Sequence, residues 1–183
     1  MSYLPSSPDL ANIAGLLAKF PGRGILLFKL LEDIKNSFSP LSLGMRELII
    51  TYTSALNQSE FCYNAHKTLS KELGIDESVY DQLIADIDSA NVDEKLKPIL
   101  RFVKKLTLTP ELVTVTDVNA LFDAGWDERA YLDTVCLCAV VNCMNRFAIG
   151  MGIDRRVLQN TQASADIDPW FITALTNPAG QHH

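Results

Sequence analysis

Apolar and polar positions along the chain alternate at helical period in eight segments, and no stretch alternates convincingly at period two, which predicts an all-α protein. Leu10, Ile13, Leu16, Leu17 and Phe20 mark a first short helix over Asp9–Phe20, ended by Pro21-Gly22. The second is predicted over Arg23–Asn36, with Ile25, Leu26, Phe28, Leu30, Leu31 and Ile34 apolar and Lys29, Glu32, Asp33 and Lys35 polar. Ser39-Pro40-Leu41-Ser42 signals the start of a third, about Leu43–Leu56, in which Glu47 stands among Leu48, Ile49 and Ile50. Asn57-Gln58 breaks the pattern, and Ser59 is the N-cap candidate for a fourth helix that reaches Leu73 and stops at Gly74. Asp76 caps a fifth helix to about Ser89, and Asp93 a sixth to about Leu106 with Pro98 in its first turns. After the polar link Thr107–Val115 come a short helix, Thr116–Ala124, and the longest one, capped by Asp127 and reaching about Met151. That last helix is apolar nearly all round (Leu132, Val135, Leu137, Ala139, Val140, Val141, Met144, Phe147, Ile149), which predicts burial in a core or at a subunit interface.

These elements divide into an N-terminal helical segment (1–39), a helical core (40–152) and a tail or arm (153–183). In the tail only Pro169–Leu175 has a pattern, read as an arm that packs on its own or a neighbouring subunit. A chain of 183 residues is long enough for a substantial core. Its net charge of −6, with no Lys/Arg-rich run, argues against a nucleic-acid surface. The N-terminus has neither a basic nor an apolar signal region, and Asn142, Asn145 and Arg146 interrupt the longest apolar run. A cytoplasmic protein with no membrane span is therefore expected. Cys62, Cys136, Cys138 and Cys143 are unevenly spaced, which does not suit a disulfide framework, and no zinc constellation accompanies them. His182-His183 is read as the start of an expression tag and carries no functional weight.

Chemistry concentrates between Glu47 and His66. Ser59, Cys62 and His66 are three and four residues apart, so on one helix they share a face. A helix start at Ser59 puts Cys62 in the first turn, where free backbone N–H groups and the positive dipole end favour thiolate over thiol. His66, one turn on, is placed to take the thiol proton, and a buried carboxylate beside its ring would orient it. The plainer readings are a buried, inert Cys62, a hydrogen-bonded core His66, and a Glu47 paired with Arg46 or Lys67.

The segment resembles the active-site stretch of the alkylhydroperoxidase D-like, carboxymuconolactone decarboxylase-type family, whose redox members carry Glu-x11-Cys-x-x-Cys-x3-His. Here the order is Glu47, eleven residues, Ser59-Glu60-Phe61-Cys62, three residues, His66, with Ser59 where the first cysteine is expected. Arg46-Glu47-Leu48-Ile49, Asn57 and Asn145-Arg146 also look family-like, and the resemblance covers roughly residues 40–152. It implies an all-helical bundle assembling as a trimer or hexamer, a small peroxide as substrate in antioxidant defence, and no bound cofactor. It further implies a relay of Glu47, His66 and Cys62, with Cys62 as the peroxidatic thiol. In two-cysteine members the residue at the Ser59 position closes a disulfide that a lipoyl-type dithiol reopens. Serine cannot, so an external thiol or one of Cys136, Cys138 and Cys143 must resolve the Cys62 sulfenic acid. Those three equally suit core packing.

Two other functions stay open. Family members without the cysteine pair decarboxylate carboxylated lactones, which here would use His66 and Glu47 for proton transfer and a cation such as Arg146 for the carboxylate. A non-catalytic helical oligomer or redox sensor is the third. Asn142, Asn145 and Arg146 on the long helix read either as an inter-helix or inter-subunit network or, for Arg146, as a carboxylate site.

Overall fold

The computed structural model describes residues 2–10 and 12–153. In chain order its helices are α1 (Ile13–Lys19), α2 (Pro21–Asn36), α3 (Leu43–Leu56), α4 (Glu60–Glu72), α5 (Ser78–Ala85), α6 (Lys97–Leu108), α7 (Val115–Asp123) and α8 (Glu128–Gly150), with short 3-10 turns before and after α6. The described residues contain no strand, as the period-two reading requires. The tail with its Pro169–Leu175 arm lies outside the described residues.

Short polar side chains set four of the eight described α-helix starts by accepting from the first unpaired N–H groups. Asn12 accepts from Gly15 N at 2.7 Å, Ser42 from Met45 N at 3.2 Å and Asp127 from Ala130 N at 2.8 Å. Thr114 and Asp117 form a reciprocal capping box at α7. The first helix thus begins at Ile13 rather than at Asp9, because Asn12 supplies the cap. The fifth ends at Ala85 rather than near Ser89, because Asp86 turns extended (φ −161°) and its carboxylate takes Asp88 N instead. Asp93 caps a 3-10 turn through Lys95 N, and that turn leads into α6 with Pro98 in the first turn. Gly74 ends the α4 region at φ +82°, a backbone conformation that suits glycine.

The bundle is built around α3. Arg46 to Ser54 are all buried, so this helix is enclosed on every side, with α4, α5, α6 and α8 packed around it. The N-terminal pair folds back on the same core, α2 lying against α8 and α3. Gly24 permits the close α1–α2 approach, since a Cβ there would collide with the Leu17 carbonyl. Helix α8 is buried along one face only. It buries Thr134, Leu137, Cys138, Val141, Met144 and Asn145, yet Leu132, Ala139, Cys143, Arg146 and Ile149 are exposed. By length and composition α8 is apolar enough to cross a membrane, and in this fold its inner face closes the bundle.

Candidate active site

Three residues, Asn57 to Ser59, join α3 to α4 and turn the chain through a left-handed corner at Gln58 (φ 54°). The corner is closed by Ser59 N donating to Ser54 O at 3.0 Å and Tyr63 N to Ser59 O at 2.8 Å. It lays α4 along α3, so residues nineteen apart in sequence meet. His66 Nδ1 lies 2.8 Å from Glu47 Oε2. An ionised carboxylate only accepts, so the proton between them belongs to Nδ1, and in a neutral ring the lone pair is on Nε2. Ser70 Oγ donates to the His66 carbonyl at 2.8 Å and lies 3.2 Å from Thr51 Oγ1, tying the middle of α4 to α3.

Glu47 is held on its other oxygen as well. Lys35 Nζ, from the last turn of α2, sits 2.9 Å from Glu47 Oε1. The Glu47 side chain is 7% exposed. Burial alone would raise its pKa, but the hydrogen bonds and charges of His66 and Lys35 outweigh burial and hold the carboxyl below its ordinary range. Neither partner anticipated under the plainer reading is used. The Arg46 guanidinium instead donates to the carbonyls of Ser37 (3.0 Å) and Ile34 (3.4 Å), and Lys67 pairs with Glu77 at 3.2 Å. Lys35 was missed because its polar spacing on α2 reads as an ordinary solvated face, and only the fold-back of α2 brings it to α3.

Cys62 is in no disulfide and is buried at the third residue of α4. It shares a helix face with His66, one turn later, and occupies the turn whose N–H groups lack intrahelical acceptors. Glu60, acidic in that same turn, complements the positive end of the dipole and offsets its pull on a Cys62 thiolate. Ser59 is fully buried at the N-cap position, as expected, but its hydroxyl makes no capping bond. Its ψ of 88° differs from the 161° at Ser42, which does cap. Glu47, Ser59, Cys62 and His66 are thus gathered on one helical hairpin, with Glu47 and His66 in direct contact.

Polar groups on α8 form a separate network. Asn57 Nδ2 donates to Asn142 Oδ1 at 3.0 Å, and Asn142 Nδ2 donates to the Cys138 carbonyl at 2.9 Å and to Thr107 Oγ1 at 3.3 Å. Arg146 Nη1 is bound to Asn142 Oδ1 at 2.5 Å and to its carbonyl at 3.1 Å. Ser54 Oγ donates to Asn145 Oδ1 at 3.2 Å. An inter-helix network is therefore what these residues build. A cleft of about 310 Å³ beside it is lined by Thr107, Pro110, Asn142, Cys143 and Arg146. Burial pushes the Cys138 thiol up, Cys136 is half-buried and Cys143 is exposed.

No family model matches the sequence, and no curated protein sequence matches it. Solved structures do match. An uncharacterized peroxidase-related protein from Silicibacter sp. TM1040 aligns over 77% of this chain and 74% of its own with a TM-score of 0.71 at 23% identity. An alkylhydroperoxidase AhpD core, an uncharacterized peroxidase-related protein from Ralstonia eutropha JMP134, aligns over 75% and 73% with a TM-score of 0.69 at 25% identity. The chain has the AhpD-like fold. The same AhpD-like fold is matched by the debrominase Bmp8 in complex with 2,3,4-tribromopyrrole, over 95% of this chain and 94% of that one, with a TM-score of 0.67 at 13% identity. An AhpD-like bundle therefore serves more than one chemistry.

Proposed function

We propose that the protein is a thiol-dependent peroxidase that reduces organic hydroperoxides or hydrogen peroxide at Cys62. The observation that carries this reading is the locked pair: Glu47, buried, fixes His66 through Nδ1, one turn from a thiol in the first turn of α4. With Nδ1–H engaged, Nε2 is the nitrogen that can accept the Cys62 proton. The thiolate attacks the distal oxygen of ROOH, an S–O bond forms as the O–O bond breaks, and the leaving alkoxide takes the proton from His66, giving Cys62-SOH and ROH. An external thiol then condenses with the sulfenic acid, releasing water, and a second thiol, or the second sulfur of a lipoyl-type dithiol, frees Cys62 as the reductant leaves as disulfide. Serine at position 59 supports a route through an external reductant. Cys138 is a poor internal resolver, because burial favours its protonated form.

The lactone-decarboxylase alternative would use the same Glu47–His66 pair but needs a cation for the substrate carboxylate, and Arg146 is already bound to Asn142. We also infer that the protein assembles as a homo-oligomer. The exposed Leu30 and Phe38, which line one cleft with α8's Leu132, offer the apolar surface such an assembly would cover.

Stoichiometric hydrogen peroxide, followed by a sulfenic-acid trap and peptide mapping, tests the reading. The trap is expected on Cys62, with peroxide consumption falling to background in a folded Cys62→Ser variant. Trapping confined to exposed Cys143, or turnover that survives the substitution, would overturn it.

A further inference from the structure

Glu47 is gripped from two sides of the fold by two different bases. Its Oε2 faces the His66 imidazole on α4 at 2.8 Å, and its Oε1 faces the Lys35 ammonium on α2 at 2.9 Å. The side chains of Lys35 and His66 are 18% and 19% exposed. This is therefore not a loose surface pair, whose worth salt and side-chain entropy would erase. One carboxylate carries one negative charge, and two cations on it compete. Lysine keeps its proton to far higher pH than imidazole, so the ammonium occupies the charge first. A second positive charge on the ring then meets the Lys35 charge across the same carboxylate.

We propose that Lys35 is a positioning residue of the thiol site: by neutralising Glu47 it keeps His66 an uncharged imidazole, oriented through Nδ1–H and with Nε2 open to accept the Cys62 proton. This use of His66 rests on the thiol reading above. Without Lys35 the Glu47 carboxylate would have His66 as its remaining counter-ion, and imidazolium, having no lone pair, cannot act as a base. The N-terminal helices would then be part of the site's electrostatics, because the charge that sets the ring's state comes from α2.

The other charged groups around His66 do not duplicate this role. On α3, Arg46 is spent on the Ser37 and Ile34 carbonyls. On α4 itself, Lys67 is paired with Glu77, as is Lys71. Glu72 lines the roughly 200 Å³ cleft that reaches Lys35 and Glu47, and adds negative rather than positive charge. Tyr80, from α5, is buried and its phenol pushed up by burial, so it stays neutral. From α8, Arg146 is bound to Asn142.

The test follows the His66 ring proton by NMR across pH in the full chain, for wild type, Lys35→Met, Lys35→Gln and Lys35→Arg, with circular dichroism to confirm the fold. Removing the ammonium should raise the His66 titration midpoint by about one pH unit. Lys35→Arg should stay near wild type. Lys35→Gln retains a donor for Oε1 without charge, so it keeps the proposal testable if Lys35→Met does not fold. A midpoint unchanged in a folded Lys35→Gln or Lys35→Met variant overturns the proposal, since a merely structural lysine would leave His66 alone. The peroxide trap on wild-type Cys62 is scored separately. A shifted His66 midpoint in a protein whose Cys62 is inert to peroxide would remove the thiol reading and leave the charge coupling. An unshifted midpoint with a reactive Cys62 would remove only the role of Lys35.

Discussion

Helices α3 and α8 differ in how the bundle encloses them. Helix α8 holds the longest apolar run, and it leaves Leu132, Ala139, Cys143 and Ile149 at the surface. Between Arg46 and Ser54, α3 carries five polar or charged side chains, Arg46, Glu47, Thr51, Thr53 and Ser54, and is enclosed all round. Burial here follows position in the bundle, and polar side chains survive in the centre because most are answered: Glu47 by Lys35 and His66, Thr51 by Ser70, Ser54 by the Ile50 carbonyl and Asn145, Arg46 by two carbonyls. An apolar surface on one helix and a polar centre on another are both signs that a fold has work beyond closing its own core. Under the proposed function another subunit would cover the outer face of α8, and the polar centre of α3 would serve the relay.

The contrast can be broken at four points. The largest effect should come from Ile49→Ala on α3, fully buried, with a loss of about 3 kcal/mol by denaturant unfolding. A loss below about 1 kcal/mol would mean α3 is not the enclosed centre. Next, Glu47→Gln should cost about 2 kcal/mol at neutral pH, since it removes the charge that both partners answer. Its pH dependence has a fixed sign. The folded Glu47 carboxyl titrates below its ordinary value of 4.5, so its stabilisation is fully present above that value and lost as pH falls through the lower folded value. The stability gap between wild type and Glu47→Gln should therefore close in acid; a gap that widens there would contradict the charge pairing.

Smaller still, Gln58→Gly at the exit of α3 should gain about 0.5 kcal/mol, because relief of the left-handed strain slightly exceeds the entropy that glycine gives up. A loss would show that the Gln58 side chain holds the corner. Smallest of all, Leu132→Ala on α8 should change the stability of dilute protein by no more than about 0.5 kcal/mol, as that residue is 52% exposed. A larger loss, growing with protein concentration, would mean that a second copy covers the face.

Much of this was legible in the sequence, for local reasons. Capping residues such as Ser42 and Asp127 announce helix starts through hydrogen bonds spanning three residues, and the spacing of Ser59, Cys62 and His66 needs only helical geometry to share a face. The Glu47–His66 contact was anticipated only through the family resemblance of the Glu47, Cys62 and His66 spacing; the three-residue corner that turns α4 back along α3 is what brings the two together. Lys35 was not reachable, because its partner depends on how a separate helix docks. Nor was the ψ at Ser59 that removes its capping bond, since the tightness of the corner is set by α3–α4 packing. For α8 the sequence left core and subunit interface both open, because hydrophobic period reports what a helix must cover, not which chain covers it.

The short α3–α4 connection makes the acid, the hydroxyl, the thiol and the imidazole a single inheritable unit. The stretch from Leu43 to Glu72 carries all four, so recombination or grafting into another helical scaffold would move them together with their mutual geometry. The ammonium would stay behind on α2. A transplanted hairpin would keep its Glu47–His66 bond and arrive without its counter-charge, and the new host would have to furnish a cation at Glu47 Oε1. The unit is thus portable as shape and dependent on its neighbour as charge, which gives a designer a single position, opposite Oε1, at which to alter the charge on Glu47 from outside the motif.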